Sequence, residues 1–298
     1  MPISNPSINN LSDISTMQTT APLCAPGGRL TLSSSNPTGD GSNTTLLYYL
    51  PYVHSLVPLW NAAANAWEYR SIPDSGISIN RVGDNPRNAD IYATFNDALP
   101  GGLGIDIQSW ASDTTRAIPR SRKSGIQILT YNSGDQPIKT LLGTIRMIGA
   151  NGNAKMYDTD GKRFVSNAYN RVRKRLLLLE GTATWNVTLN SWTNWNNNSA
   201  NRLEVVSCDA DPVFDVGLKV RAAGNPNTYL GSGIAVDNVV SPEVYTFGLA
   251  GDTNLITLFT RPIGIGYHYL APLLMSTAGT AVTVYGGVDT TFFGTWDC

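Results

Sequence analysis

Short runs of Tyr, Ile, Val and Leu, each closed off by Gly, Pro, Asn or Asp, recur along almost the whole chain. They limit its fold more than any other feature. "AWEYRSI", "GISINRV", "DIYATF", "LGIDIQSW", "GIQILTY" and "LLGTIRMI" follow one another in the first half. "RLEVVSC", "VFDVGLKVRA", "EVYTFGL", "LITLFTR", "GYHYLAPLL" and "AVTVYGG" do the same in the second. Numerous short runs with this punctuation are the strands of a sandwich or barrel. "RLTLSSS" sets Leu30 and Leu32 against polar neighbours, the pattern of a half-buried strand. No solenoid period, heptad or collagen repeat is present, so no long fibrous shaft is encoded.

The most apolar stretch, "TTLLYYLPYVHSLVPLW" at 44–60, is short of the ~20 apolar residues a membrane helix needs. Pro51 and Pro58 break any helix, and His54-Ser55 interrupts the run. It reads as two strands around a proline bend, with proline confined to edges or bulges. Tyr48, Tyr49, Tyr52 and Trp60 are its candidates for a buried face or a subunit contact.

One segment has a different texture. In "KRFVSNAYNRVRKRLLLLEG", Phe164, Ala168, Val172 and Leu176 recur every four residues, which is one stripe of a helix. Arg171, Arg173, Lys174 and Arg175 gather where a helix C-terminus would favour cations. The periodicity favours a helix, with a strand running into "LLLLEG" as the alternative. The expected fold is all-β: two sandwich- or barrel-like domains joined by a short helix. Residues 1–28 form an extended arm, 29–150 a β-rich docking domain, 151–180 the helical connector, and 181–298 a jelly-roll-like sandwich. A polar, aperiodic arm cannot bury a core of its own, so it is expected to lie along a neighbouring chain as an assembly element.

Composition excludes several functions. The net charge is −1 over 298 residues, leaving no electrostatic footprint for nucleic acid or anionic lipid. Charged residues make up 14%, against roughly 25% in an average soluble protein, and Asn, Ser, Thr and Gly carry the polarity instead. Cys24, Cys208 and Cys298 lack metal-ligand or disulfide-framework spacing and read as reduced thiols of a protein made in a cytoplasm. The N-terminus has neither the basic region nor the apolar core of a signal peptide, so N-x-S/T sequons such as those at Asn43, Asn186 and Asn197 carry little weight.

Catalytic constellations are scarce. His54 and His268 are the two histidines, no GxSxG elbow exists, and "GSG" at 231–233 reads as a turn. His268, between Tyr267 and Tyr269, reads as a packed or interface histidine. Glu68, Glu180, Glu204 and Glu243 are too few to make a carboxylate pair for glycoside hydrolysis prominent. Asp158/Asp160 in "YDTDGK" and Asp209/Asp211 in "CDADP" read as turns rather than metal sites, and "PGGLG" at 100–104 leads into a strand, not a phosphate-binding helix. No catalytic, cofactor or metal residue is therefore expected. The conspicuous chemistry is aromatic: "WNVTLNSWTNWNNNSANR" sets Trp185, Trp192 and Trp195 beside Asn196 and Asn197. Such a set serves an interface or core, or holds a sugar by stacking and neutral hydrogen bonds.

Several strings in order resemble a group of phage virion proteins, the tail- or head-fibre proteins. They are "RLTLSSSNPTGD" (29–40), "TTLLYYLPYVHSLVPLW" (44–60), "ADIYATF" (89–95), "IDIQSW" (105–110), "LLGTIR" (141–146), "FVSNAYNRVRKRL" (164–176), "SANRLEVV" (199–206), "GYHYL" (266–270) and "VTVYGG". The resemblance spans about Arg29 to Gly287. It implies a non-enzymatic, β-rich protein on the virion surface, assembled in the host cytoplasm and forming a homo-oligomer, a trimer in such families. Its partners would be other virion proteins of head or tail, with host surface polysaccharide as a further contact, and with no nucleic acid and no membrane insertion. A capsid cement protein without a host ligand and a glycan-degrading tailspike are the rival readings.

Overall fold

The computed structural model describes residues 24–61, 63–81, 85–130, 137–277 and 280–298. The expected N-terminal arm therefore lies outside the described residues over 1–23. Among the described residues there is no α-helix, only strands and three-residue 3-10 turns. The chain is all-β, and no helix is long and apolar enough to cross a membrane.

The apolar stretch 44–60 forms two strands, Leu46–Pro51 and Leu56–Asn61, around a proline bend. The first is the middle of a three-stranded antiparallel sheet, between Gly28–Thr31 and Ile77–Asn80. The second pairs with Ala66–Ser71 as a two-stranded ribbon, in which Pro58 faces Tyr69. A ribbon consists only of edges, where a residue without an N–H is tolerated. The Pro58 carbonyl remains useful there and accepts the Thr140 hydroxyl at 2.6 Å.

These two sheets pack on a larger one of order Leu103–Ser109, Asn88–Phe95, Pro137–Arg146, Ile126–Thr130, Arg120–Lys123, with Val165–Asn167 added beside Pro137–Arg146. The two-residue period divides its side chains. Ala89, Ile91 and Ala93 join Leu30, Leu47, Tyr49, Val57 and Leu59 in one core. Tyr92, Leu129 and Leu141 point the other way, under Ile118 and Ala168. "RLTL" is buried on its polar side too, unlike the half-exposed strand its alternation suggests: Arg29 and Thr31 are each 1% exposed. Arg29 is tolerated because its guanidinium donates to the Pro37 carbonyl at 2.9 Å and the Asn170 carbonyl at 2.5 Å.

A second core is a sandwich. One sheet runs Leu203–Ser207, Gly266–Ser276, Tyr229–Val236, Val244–Leu249. The other centres on the long strand Val213–Gly224. Thr253–Pro262 pairs along one edge of that strand, while Thr291–Asp297 and Val282–Tyr285 share its other edge in tandem. Arg173–Leu179 and Thr184–Val187 pair outside those two. Leu203, Leu230, Ile234, Leu270 and Leu274 from the first sheet meet Phe214, Val220, Val284, Phe292 and Trp296 from the second. Phe214 and Trp296 stack with centroids 4.5 Å apart. The first sheet also continues outward through Lys162–Arg163, Met156–Thr159 and Gly41–Thr44, which links the two cores through one hydrogen-bonded surface.

The helix expected within 151–180 does not form. Val165–Asn167 and Arg173–Leu179 are strands, separated by a bend in which Asn170 has φ 56°. Over 173–176 the alternation decides: Arg173 and Arg175 are exposed while Lys174 and Leu176 are buried. An inward lysine hides a two-residue period from any hydropathy reading. Here it is neutralised: Lys174 Nζ lies 2.5 Å from Asp158 and 3.0 Å from Asp40. Arg163 completes the cluster, 2.7 Å from Asp40, 3.3 Å from Asp158 and 2.9 Å from Asp160. Asp160 does form the turn read in "YDTDGK", between Met156–Thr159 and Lys162–Arg163, while Asp158 is buried within the ion network between the cores.

Candidate functional site

The three candidate tryptophans have separate fates. Trp195 is fully buried in the sandwich core, and Trp185 packs against it with centroids 6.0 Å apart. Asn196 and Asn197 follow at φ 50° and 51°, a left-handed pair that shapes the turn. Asn196 donates to the Thr182 hydroxyl at 2.9 Å, while Asn197 is exposed. Trp192 alone reaches the outer face of the first sandwich sheet. It lies 5.8 Å from both Tyr245 and Phe247, which are 57% and 42% exposed and 5.5 Å from each other.

The floor of this aromatic cluster is made by glycine. "GSG" is not a turn: Gly231, Ser232 and Gly233 lie inside the strand Tyr229–Val236. Gly231 is registered between Met275 and Phe247, and Gly233 between Leu273 and Tyr245. A Cβ on Gly231 would fall 2.8 Å from the Trp192 ring and 2.6 Å from Phe247. A Cβ on Gly233 would fall 3.2 Å from Trp192 and 2.7 Å from Pro242. The missing side chains let the indole rest across the sheet, so an aromatic surface stands open to solvent. Tyr245 and Phe247 present their exposed rings beside the half-buried indole.

The same sheet face carries aromatics at its other end, and those are occupied. The Arg146 guanidinium sits 3.6 Å from the Tyr267 centroid and Arg202 sits 4.6 Å from Tyr269. The Tyr267 hydroxyl donates to Glu204 at 2.5 Å, and burial first, then this bond, raises its pKa above the ordinary value. His268 faces inward between them, 7% exposed, with Nδ1 2.7 Å from Asp237 and Nε2 3.0 Å from the Ile265 carbonyl.

The remaining candidates lie in the first core or beside it. Tyr49 is 1% exposed and its hydroxyl accepts the Gly28 N–H at 3.2 Å, while Tyr48 is half-buried and Tyr52 exposed. Trp60 meets Trp67 edge-on at 5.6 Å, with the Lys123 ammonium 3.5 Å from its centroid. Asp209 of "CDADP" is held by Arg171 at 2.5 Å, Arg120 at 3.3 Å and Gln127 at 3.0 Å. Among the described residues no group of three His, Cys, Asp or Glu is placed to hold a metal ion. Tyr245, Phe247 and the two glycines had a faint sequence signal: in "EVYTFGL" both alternate sets contain apolar residues, so the solvent face of that strand is apolar too.

No protein-family model matches the chain, and no curated protein sequence does. Among solved structures it is similar to the insecticidal delta-endotoxin Cry8Ea1 of Bacillus thuringiensis, with TM-score 0.27 and 7% identity over 89% of this chain and 51% of that one. The mosquito-larvicidal Cry4Aa toxin of the same organism gives 0.25 and 7%, over 94% and 55%. The VP2 subviral particle of infectious bursal disease virus gives 0.27 and 8%, over 95% and 80%. The chain spans about half the length of the two toxin chains.

Proposed function

We propose that this chain is a non-enzymatic structural protein of a phage virion, carried on the particle surface, whose C-terminal sandwich touches host glycan through the Trp192–Tyr245–Phe247 face. The observation that carries the contact is the open aromatic surface over Gly231 and Gly233. A half-buried indole flanked by an exposed phenol and an exposed phenyl ring suits the apolar face of a pyranose. The resemblance of the ordered strings to tail- and head-fibre proteins supports the virion setting, and with it a homo-oligomeric, trimeric state. Several copies of a weak site gain affinity through avidity without any new contact.

The test pairs location with binding. Antibody against the protein should label intact particles, and the purified protein should bind host surface polysaccharide. Trp192→Ala should abolish that binding while leaving incorporation into particles intact. Unlabelled particles would overturn the virion reading. Binding indifferent to Trp192 would overturn the glycan face. Release of new reducing ends from the polysaccharide would overturn the non-enzymatic reading.

A further inference from the structure

A second site lies where the two cores meet. The strand Arg120–Lys123 and the loop after Leu203–Ser207 wall a groove of about 680 Å³, which Thr114 and Thr115 also line. Its charged lining is Arg116, Arg120, Arg122 and Asp209. A smaller depression of about 420 Å³ shares Arg122, Gln127 and Asp209 and adds Arg171 and Asp211. Four of the 21 basic residues of a sparsely charged chain therefore converge on one cleft.

The fold has already committed most of the negative charge nearby. Asp209 is shared between Arg120, Arg171 and Gln127. Asp90, 1% exposed, takes Arg116 at 2.7 Å and the Thr144 hydroxyl at 2.5 Å. Arg116 and Arg120 also converge on one acceptor, the Cys208 carbonyl, at 2.7 and 2.5 Å. Arg116, Arg120 and Arg171 thus share two carboxylates, Asp90 and Asp209, which leaves an excess of positive charge, and the buried Arg120 Nη1 makes no hydrogen bond. Arg122 stands exposed on the wall, and among the described residues it has no ion-pair partner. Asp211 is the one acidic group at the rim that the lattice of pairs leaves out, and it lines only the smaller depression.

We infer that the larger groove is an oxyanion site that receives the carboxylate of an acidic saccharide, with Arg122 as the residue that meets it. A guanidinium is the group that pairs with a planar oxyanion through two parallel hydrogen bonds. The Thr114, Thr115 and Ser121 hydroxyls in the lining suit the neutral hydroxyls of the same sugar. This inference rests on the glycan reading for its ligand class and names what that reading leaves open, the charge of the glycan. The groove is distinct from the aromatic face. Ile265 lines the groove just before the strand Gly266–Ser276, and Met275 abuts the glycines of the aromatic floor near its far end, roughly 30 Å away at strand spacing.

The full chain is titrated with a uronate oligosaccharide, its methyl-esterified neutral counterpart, and inorganic phosphate, using wild type, Arg122→Gln, Arg122→Lys and Trp192→Ala. The expected result is that the uronate binds more tightly than the ester and that added salt weakens it. Arg122→Gln should lose about tenfold, the scale of one charge-assisted pair, with Arg122→Lys recovering part of the loss. Equal binding of uronate and ester overturns the inference, as does uronate binding unchanged in Arg122→Gln. Binding of phosphate alone overturns the carboxylate assignment. Ester binding lost in Trp192→Ala with no uronate preference sinks the groove and spares the aromatic face. A uronate preference lost in Arg122→Gln, with both oligosaccharides binding Trp192→Ala as tightly as wild type, sinks the aromatic face and spares the groove.

Discussion

The two ends of one sheet face use the same side chains for opposite purposes. At one end Tyr267 and Tyr269 lie under Arg146 and Arg202, with the Tyr267 hydroxyl bound to Glu204. At the other end Trp192, Tyr245 and Phe247 rest on glycine with no cation above them among the described contacts. Aromatic content alone therefore says nothing about availability. What separates packing from presentation is whether a guanidinium covers the ring and whether its polar tip is satisfied.

The comparison can be broken from both ends. The largest effect belongs to a ring that is inside altogether: Trp195→Ala should cost about 3–5 kcal/mol of stability, as a large-to-small core change does. Thermal or denaturant unfolding would show it, whereas Trp192→Ala, at a half-buried ring, should cost clearly less stability and lose glycan binding instead. Equal destabilisation by both changes would mean that the two tryptophans share one role. Removing a cap should matter less. Arg146→Ala strips the cation from Tyr267 and breaks the pair with Asp113 at 2.7 Å, for a loss of about 1–2 kcal/mol in denaturant unfolding.

A change under the open rings should move binding more than stability. Gly231→Ala places a methyl against Trp192, Phe247 and Met275 and lifts the rings from the sheet. Glycan affinity should fall severalfold, with Trp192 fluorescence reporting the displacement. An affinity equal to wild type would show that the floor does not position the indole.

The smallest effect is one of pH. Burial raises Tyr267, Tyr92 and Tyr49 above their ordinary value of 10.0, and raises Tyr169 to about 12. A raised folded pKa means that the unfolded chain releases its protons first. The stability these groups confer is whole below pH 10 and drains away as pH climbs through the folded values. Alkaline unfolding followed by tyrosinate absorbance should therefore begin above pH 10, and Tyr267→Phe should shift its midpoint upward. An unshifted midpoint would show that the capped tyrosine is not under tension from burial.

Much of this architecture was legible in the residues because strands announce themselves twice, by alternation and by the turn-formers that bound them. The strands of 44–60 followed from two prolines and a polar interruption. The helix expected over 164–176 failed for a local reason. Lys174 points inward against Asp158 and Asp40, a partnership between residues far apart in sequence, and no window of neighbouring residues can display it. "GSG" misled for the converse reason, since glycine in a strand looks like a turn until the ring that needs its emptiness is placed above it. The tryptophan cluster marked an aromatic region, yet spacing in a loop cannot say which of three rings reaches the outer face of a sheet. The arginine groove was invisible: Arg116, Arg120 and Arg122 look like ordinary surface charge in sequence, and only the fold brings Asp209, and Arg171 of the adjoining depression, up to them.

The strand Thr291–Asp297 fills the space between Arg173–Leu179 and Val213–Gly224. During synthesis both neighbours exist long before it does. Each then presents an unpaired edge and a row of leucines or valines with nothing to cover them, while more than seventy residues are still being added after Val213–Gly224 ends. Such edges are templates for pairing with other chains. A growing chain of this fold therefore passes through a stretch of translation in which its own later residues are its missing partner, and shielding during that interval decides how much of it reaches the native state.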